Sequence, residues 1–101
     1  MNALLKDLVC QSLQYRTNND KFFELNDRIL DLQLTDSDFD NDFFESFDPK
    51  ERFEMYTMVV RWVDVPYGLK ILKDRLIFET DWECVKRLQS MLRHLRSQGF
   101  I

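Results

Sequence analysis

Apolar residues recur along this chain with the period of a helix, and polar breaks in the pattern mark where each helix should stop. Over residues 2–15, Leu4, Leu5, Leu8, Val9 and Leu13 share one side of a helix running from Asn2 to Tyr15. Asn18, Asn19 and Asp20 interrupt that pattern and supply side chains that cap a following helix. Phe22, Leu25, Ile29 and Leu32 then fit a second helix. Over residues 30–34 the leucines alternate with Asp31 and Gln33, so this tail fits either the end of that helix or a short strand.

Residues 35–48 read Thr-Asp-Ser-Asp-Phe-Asp-Asn-Asp-Phe-Phe-Glu-Ser-Phe-Asp. So much charge suggests a solvated loop, but the phenylalanines are periodic. Phe39, Phe43, Phe44 and Phe47 stand at i, i+4, i+5 and i+8, which is one helix face. Asp38, Asp42 and Glu45 fall together on another face. Ser37 suits an N-cap, and acids early in a helix suit its dipole. The spacing predicts one short helix with a buried phenylalanine face and an exposed carboxylate face.

Asp48-Pro49-Lys50-Glu51 is the strongest local signal. Asp48 can cap, Pro49 fits the first helical position, and Glu51 can close a capping box. The helix it opens should run to about Val63. Phe53, Tyr56, Val60 and Val63 line one side, with Met55, Met58, Val59 and Trp62 beside them, so this is the expected central helix. Pro66 and Gly68 read as a turn. Leu69, Leu72, Leu76 and Ile77 predict a helix to about Phe78. Thr80-Asp81-Trp82-Glu83 matches a capping box, and Val85, Leu88, Leu92 and Leu95 carry the last helix. Gly99 stands at the position of a left-handed C-cap, from which Phe100 can pack back.

Composition agrees with the pattern. The chain has 101 residues, 45% of them apolar, with nine Phe but only two Gly and two Pro. Antiparallel sheets need tight turns, yet neither Asn-Gly nor Asp-Gly occurs. The expected fold is therefore all-α: a compact single-domain bundle of five to six short helices over residues 1–101. No run approaches the ~18–20 apolar residues of a membrane span. Lys6 and Asp7 interrupt the apolar start too early for a signal peptide, so a cytoplasmic protein is expected. Cys10 and Cys84 stand apart beside apolar neighbours, as buried thiols rather than a disulfide or metal pair.

Charge is uneven. Residues 1–60 carry 6 Lys/Arg against 13 Asp/Glu, whereas residues 61–101 carry 8 against 5. This balance argues against direct nucleic-acid binding, which needs a basic footprint. It suits a protein partner with a basic surface, since opposite potentials speed encounter.

Chemistry offers little competition. The single histidine, His94, falls opposite the apolar stripe of the last helix, and no Ser- or Cys-centred motif accompanies it. With two glycines there is no phosphate loop or dinucleotide fingerprint. Asp36-Ser37-Asp38-Phe39-Asp40 imitates the start of an EF-hand loop, but Asn41 stands at the glycine position and Phe47 at the bidentate glutamate. No catalytic residue, metal or cofactor is expected. The candidate partner-binding residues are Asp36, Asp38, Asp40, Asp42, Glu45 and Asp48, with Tyr67 as an exposed aromatic anchor. Trp62 and Trp82 are further aromatic candidates, Trp62 for the core.

The segment Asp64-Val65-Pro66-Tyr67-Gly68-Leu69-Lys70-Ile71-Leu72-Lys73-Asp74-Arg75-Leu76, followed by a capped terminal helix, resembles a pattern of Maf-type immunity proteins. There an aromatic-Gly-Leu turn opens a helix bearing an aliphatic–Leu pair and a following acid. The likeness spans about the last third of the chain. After the Leu, Lys70 and Ile71 stand where the family has a small residue and an acid. The resemblance implies a small, helical, cytoplasmic, non-enzymatic protein that protects bacteria by binding a cognate toxin. A basic toxin domain, such as a nuclease, is the implied partner. A phage-type nucleic-acid mimic and a small secretion chaperone or adaptor stay open as alternatives. So do the oligomeric state and the choice between an acidic and an apolar interface.

Overall fold

In the computed structural model, residues 3–100 are described; the expected helix start at Asn2 lies outside them. Six α-helices follow one another, with one 3-10 turn and no strand among the described residues. Helix α1 (Ala3–Gln14) packs on α2 (Asn19–Leu30). Asn18 caps α2 by accepting the Lys21 N–H at 3.3 Å. Helix α2 ends at Leu30 and the leucine alternation beyond it makes no strand. Gln33 adopts a left-handed φ of 53°, which turns the chain away.

The 3-10 turn (Asp36–Asp38) and α3 (Asn41–Glu45) lead into α4 (Pro49–Trp62). The predicted capping box is present. Asp48 accepts the Glu51 N–H at 2.8 Å, and Glu51 accepts the Asp48 N–H at 3.0 Å. As expected, α4 is central, contacting α1, α2, α5 and α6. Met55, Tyr56, Val59 and Trp62 are fully buried along it. Trp62 stacks on Phe39 with ring centroids 5.9 Å apart. Its indole N–H donates to Asn26 Oδ1 at 2.8 Å, and Ser12 donates to the same oxygen at 2.9 Å. One buried amide thereby joins α1, α2 and α4. Its Nδ2 has no partner among the described residues.

Helix α5 (Val65–Phe78) begins earlier than expected. The Pro66-Tyr67-Gly68 stretch is its first turn, not a break. A proline there sacrifices no helical hydrogen bond, because the first N–H groups have no intrahelical acceptor. Gly68 is buried against α4: a Cβ at this position would lie 3.4 Å from Val60 Cγ1. Helix α6 (Trp82–Ser97) is capped by Asp81 rather than Thr80. Asp81 accepts the Cys84 N–H at 3.0 Å, so the expected register is off by one residue. Its C-terminus matches the expectation. Gly99 has φ 85°, and the Gly99 and Phe100 N–H groups bond back to the carbonyls of Arg96 and Leu95. The Phe100 ring stays about half exposed.

Cys84 is buried as expected, but Cys10 is exposed. The buried stripe of α1 is Leu5, Leu8, Val9, Ser12 and Leu13, and at about 100° per residue Cys10 lies well outside the centre of that stripe, past its Leu13 edge. Leu4, assigned to the same apolar side, is likewise half exposed. The bundle measures 29 × 28 × 26 Å.

Candidate functional site

The acidic segment is two short pieces, not one helix. The chain stops at Phe39 and restarts at α3 because Asp40 acts as an N-cap, accepting the Phe43 N–H at 2.8 Å. Ser37 caps nothing; its hydroxyl meets that of Thr35 at 2.9 Å. Short polar side chains bond readily to nearby backbone, which is why such a segment breaks up. The phenylalanine pattern nonetheless holds. Phe39, Phe43, Phe44 and Phe47 are all at most 4% exposed and pack edge-to-face or tilted at 5.4–6.4 Å.

With the rings inside, the carboxylates are left at the surface, and most have local work. Asp38 belongs to the 3-10 turn and accepts the Thr35 N–H at 3.0 Å, so it does not share a helix with Asp42 and Glu45. Asp36 pairs with Lys70 at 2.9 Å. Glu45 reaches Arg75 at 2.9 Å with its side chain still 53% exposed. Asp40 and Asp48 are caps. Asp42 alone of the six is exposed with no side-chain hydrogen bond or ion pair among the described residues. Tyr67 is 37% exposed, in the first turn of α5, beside a hollow of about 510 Å³ also lined by Leu34 and Val63. Trp62 is core. Trp82 stands 67% exposed, near Ile77 and Phe78 in the chain, which are 75% and 53% exposed.

Sequence reasoning missed a buried cluster around Glu79. Its carboxylate accepts from Arg52 Nε at 2.9 Å and Nη2 at 3.0 Å, from the Tyr56 hydroxyl, and from Arg75 Nη2 at 3.3 Å. The backbone N–H groups of Thr80 and Asp81 add bonds at 3.0 and 3.1 Å. Arg75 also donates to the Tyr56 oxygen at 2.9 Å, to Asn41 at 3.0 Å and to Glu45, and its guanidinium lies over the Phe44 ring at 5.2 Å. Arg52 donates to the Phe47 carbonyl at 2.8 Å. One carboxylate thus fastens α4 and α5 to the start of α6, and Arg75 extends the cluster to α3. The one local sign in sequence was the opposite charge at i, i+4 of Arg75 and Glu79.

Burial pushes the Glu79 carboxyl up, but hydrogen bonds from Arg52, Tyr56 and the Asp81 backbone outweigh it and hold the group at about 2. Burial first, and then the bond to Glu79, push the Tyr56 hydroxyl well above its ordinary range. Both groups therefore keep one protonation state near neutral pH, which suits anchorage rather than proton transfer. Glu79, Arg52, Tyr56 and Arg75 line neither the hollow beside Tyr67 nor the groove between α1 and the starts of α4 and α6.

The lowered Glu79 value fixes a pH dependence. Its stabilisation is complete above the ordinary carboxyl range near 4.5 and is lost as pH falls from there towards about 2. The full effect is on the order of 3 kcal/mol. Denaturant unfolding between pH 6 and pH 2.5 should show that fall, and the Glu79→Gln variant should show a much flatter profile over the same window.

His94 is exposed on α6. Among the described residues, no group of three or more His, Cys, Asp or Glu is placed to hold a metal ion, and no helix is long and apolar enough to cross a membrane. In comparisons with known proteins, no family model, curated protein or solved structure matches this chain.

Proposed function

We propose that this protein is a non-enzymatic inhibitor that binds a cationic protein surface, in the manner of an immunity protein neutralising a toxin. One observation carries the reading: the four phenylalanines of the acidic segment are committed to the core, so its six carboxylates lie on the outside of a segment that itself contains no Lys or Arg, and only Asp36 and Glu45 are met by cations from elsewhere, Lys70 and Arg75. A capping carboxylate keeps its charge, so Asp40 and Asp48 still contribute to the local potential. Such a field steers a basic partner and sets the salt dependence of its capture.

The test uses substitutions that spare the local bonds. Asp40→Asn and Asp48→Asn keep a capping oxygen while removing charge, and Asp42→Lys reverses the one carboxylate without a partner. The combined variant should unfold within about 1 kcal/mol of the parent. It should bind the partner recovered from the source cell at least tenfold more weakly at low salt, mostly through a slower association rate. Unchanged association and unchanged salt dependence would remove the acidic segment from the interface.

An adaptor that holds an apolar partner helix is the second reading. Ile77, Phe78 and Trp82, each more than half exposed, favour it.

A further inference from the structure

A groove of about 660 Å³ runs between α1 and the starts of α4 and α6. Its apolar lining comes from Leu13, Pro49 and Phe53, with the Cys10 thiol beside them. Five carboxylates border it, Asp48, Glu51, Glu54, Asp81 and Glu83, against two cations, Arg16 and Lys50. Asp48 and Glu51 serve each other's backbone in the capping box, and Asp81 caps α6. Glu83 makes only an exposed 3.6 Å pair with Lys86, and Glu54 makes no side-chain ion pair or hydrogen bond among the described residues. On Phe53, Arg87 already lies 4.1 Å from the ring centroid, so the fold itself seats one guanidinium against this apolar lining.

We infer that this groove is a docking site for a short cationic segment of a partner protein, one apolar side chain entering the floor and flanking lysines or arginines meeting the carboxylate border. The size is that of a ligand-binding cleft. The excess of acids over bases selects cationic flanks over anionic ones, and the apolar floor selects a side chain that polycations alone lack. The inference rests on the proposed binding of a cationic protein and adds to the 35–48 segment a second contact surface that adjoins it at Asp48.

Cys10 provides the readout, because it lines the groove while Cys84 is buried. The probe is a short amidated peptide alternating lysine and leucine, with a glutamate–leucine peptide and a lysine–serine peptide as controls. At about ten times its dissociation constant, the lysine–leucine peptide should slow Cys10 alkylation by iodoacetamide about tenfold. It should also shift amide resonances of Leu13 and Phe53. The Glu54→Lys, Glu83→Lys double variant, both positions outside the capping bonds, should weaken that peptide at least tenfold with an unchanged helical spectrum. Equal protection by the glutamate or serine peptide would overturn the inference. Binding that leaves Cys10 unprotected and shifts Asp40 and Asp42 instead would sink the groove while supporting the acidic segment. No saturable binding of the lysine–leucine peptide would count against both.

Discussion

Replacing Glu79 with alanine is expected to destabilise the protein by about 3–5 kcal/mol. Glu79 has a fully buried side chain, and its two arginine partners are 7% and 1% exposed at their side chains. Without it, Arg75 retains Glu45 and Asn41, but Arg52 keeps only the Phe47 carbonyl as a hydrogen-bond acceptor, with Glu45 acting on it through the field alone. The Tyr56 hydroxyl and the Thr80 and Asp81 N–H groups lose their acceptor as well. A domain of this size holds only about 5–15 kcal/mol in total, so the variant should approach the edge of folding at 37 °C. Urea unfolding gives the number, and a loss below about 1 kcal/mol would mean the cluster is not the anchor described. A double-mutant cycle with Arg52→Met should return a coupling of about 1–3 kcal/mol, since the second change removes the stranded charge.

Phe44→Ala carries the next largest effect, again about 3–5 kcal/mol. The ring is fully buried and lies 5.5 Å from Phe43, 6.4 Å from Phe39 and 5.4 Å from Tyr56, with the Arg75 guanidinium on its face. Truncation opens a cavity beside the buried charges. Two residues earlier, Asp42→Lys touches no partner and should move stability by no more than about 0.5 kcal/mol. Calorimetric melting of the two variants separates an inward anchor from an outward charge on one five-residue helix. Similar losses for both would contradict that division.

The contrast explains what could be read from sequence. The phenylalanine face was legible because burial follows periodicity even where the backbone does not. The single helix was not, because Asp40 competes for the backbone and restarts it, a choice between nearly equal local options. The Asp48–Glu51 box was readable since all its partners lie within four residues. Thr80 and Asp81 offered two caps one residue apart, and the cap used is the one whose carboxylate accepts the Cys84 N–H. Bonds such as Arg52 to Glu79 or Arg75 to Asn41 span 27 and 34 residues, and no local pattern encodes them.

Glu79 also changes what the connection between α5 and α6 is. The three residues that follow Phe78 carry no regular helix, and such links usually exchange their amide protons quickly. Here the Thr80 and Asp81 amides are tied to a buried carboxylate that also holds two arginines. Their exchange should be as slow as that of the core of α4, and native-state hydrogen exchange should find the loop opening only with the whole molecule. The elbow between the last two helices is then a fixed joint, and the exposed Ile77, Phe78 and Trp82 that flank it in the chain are carried on rigid backbone.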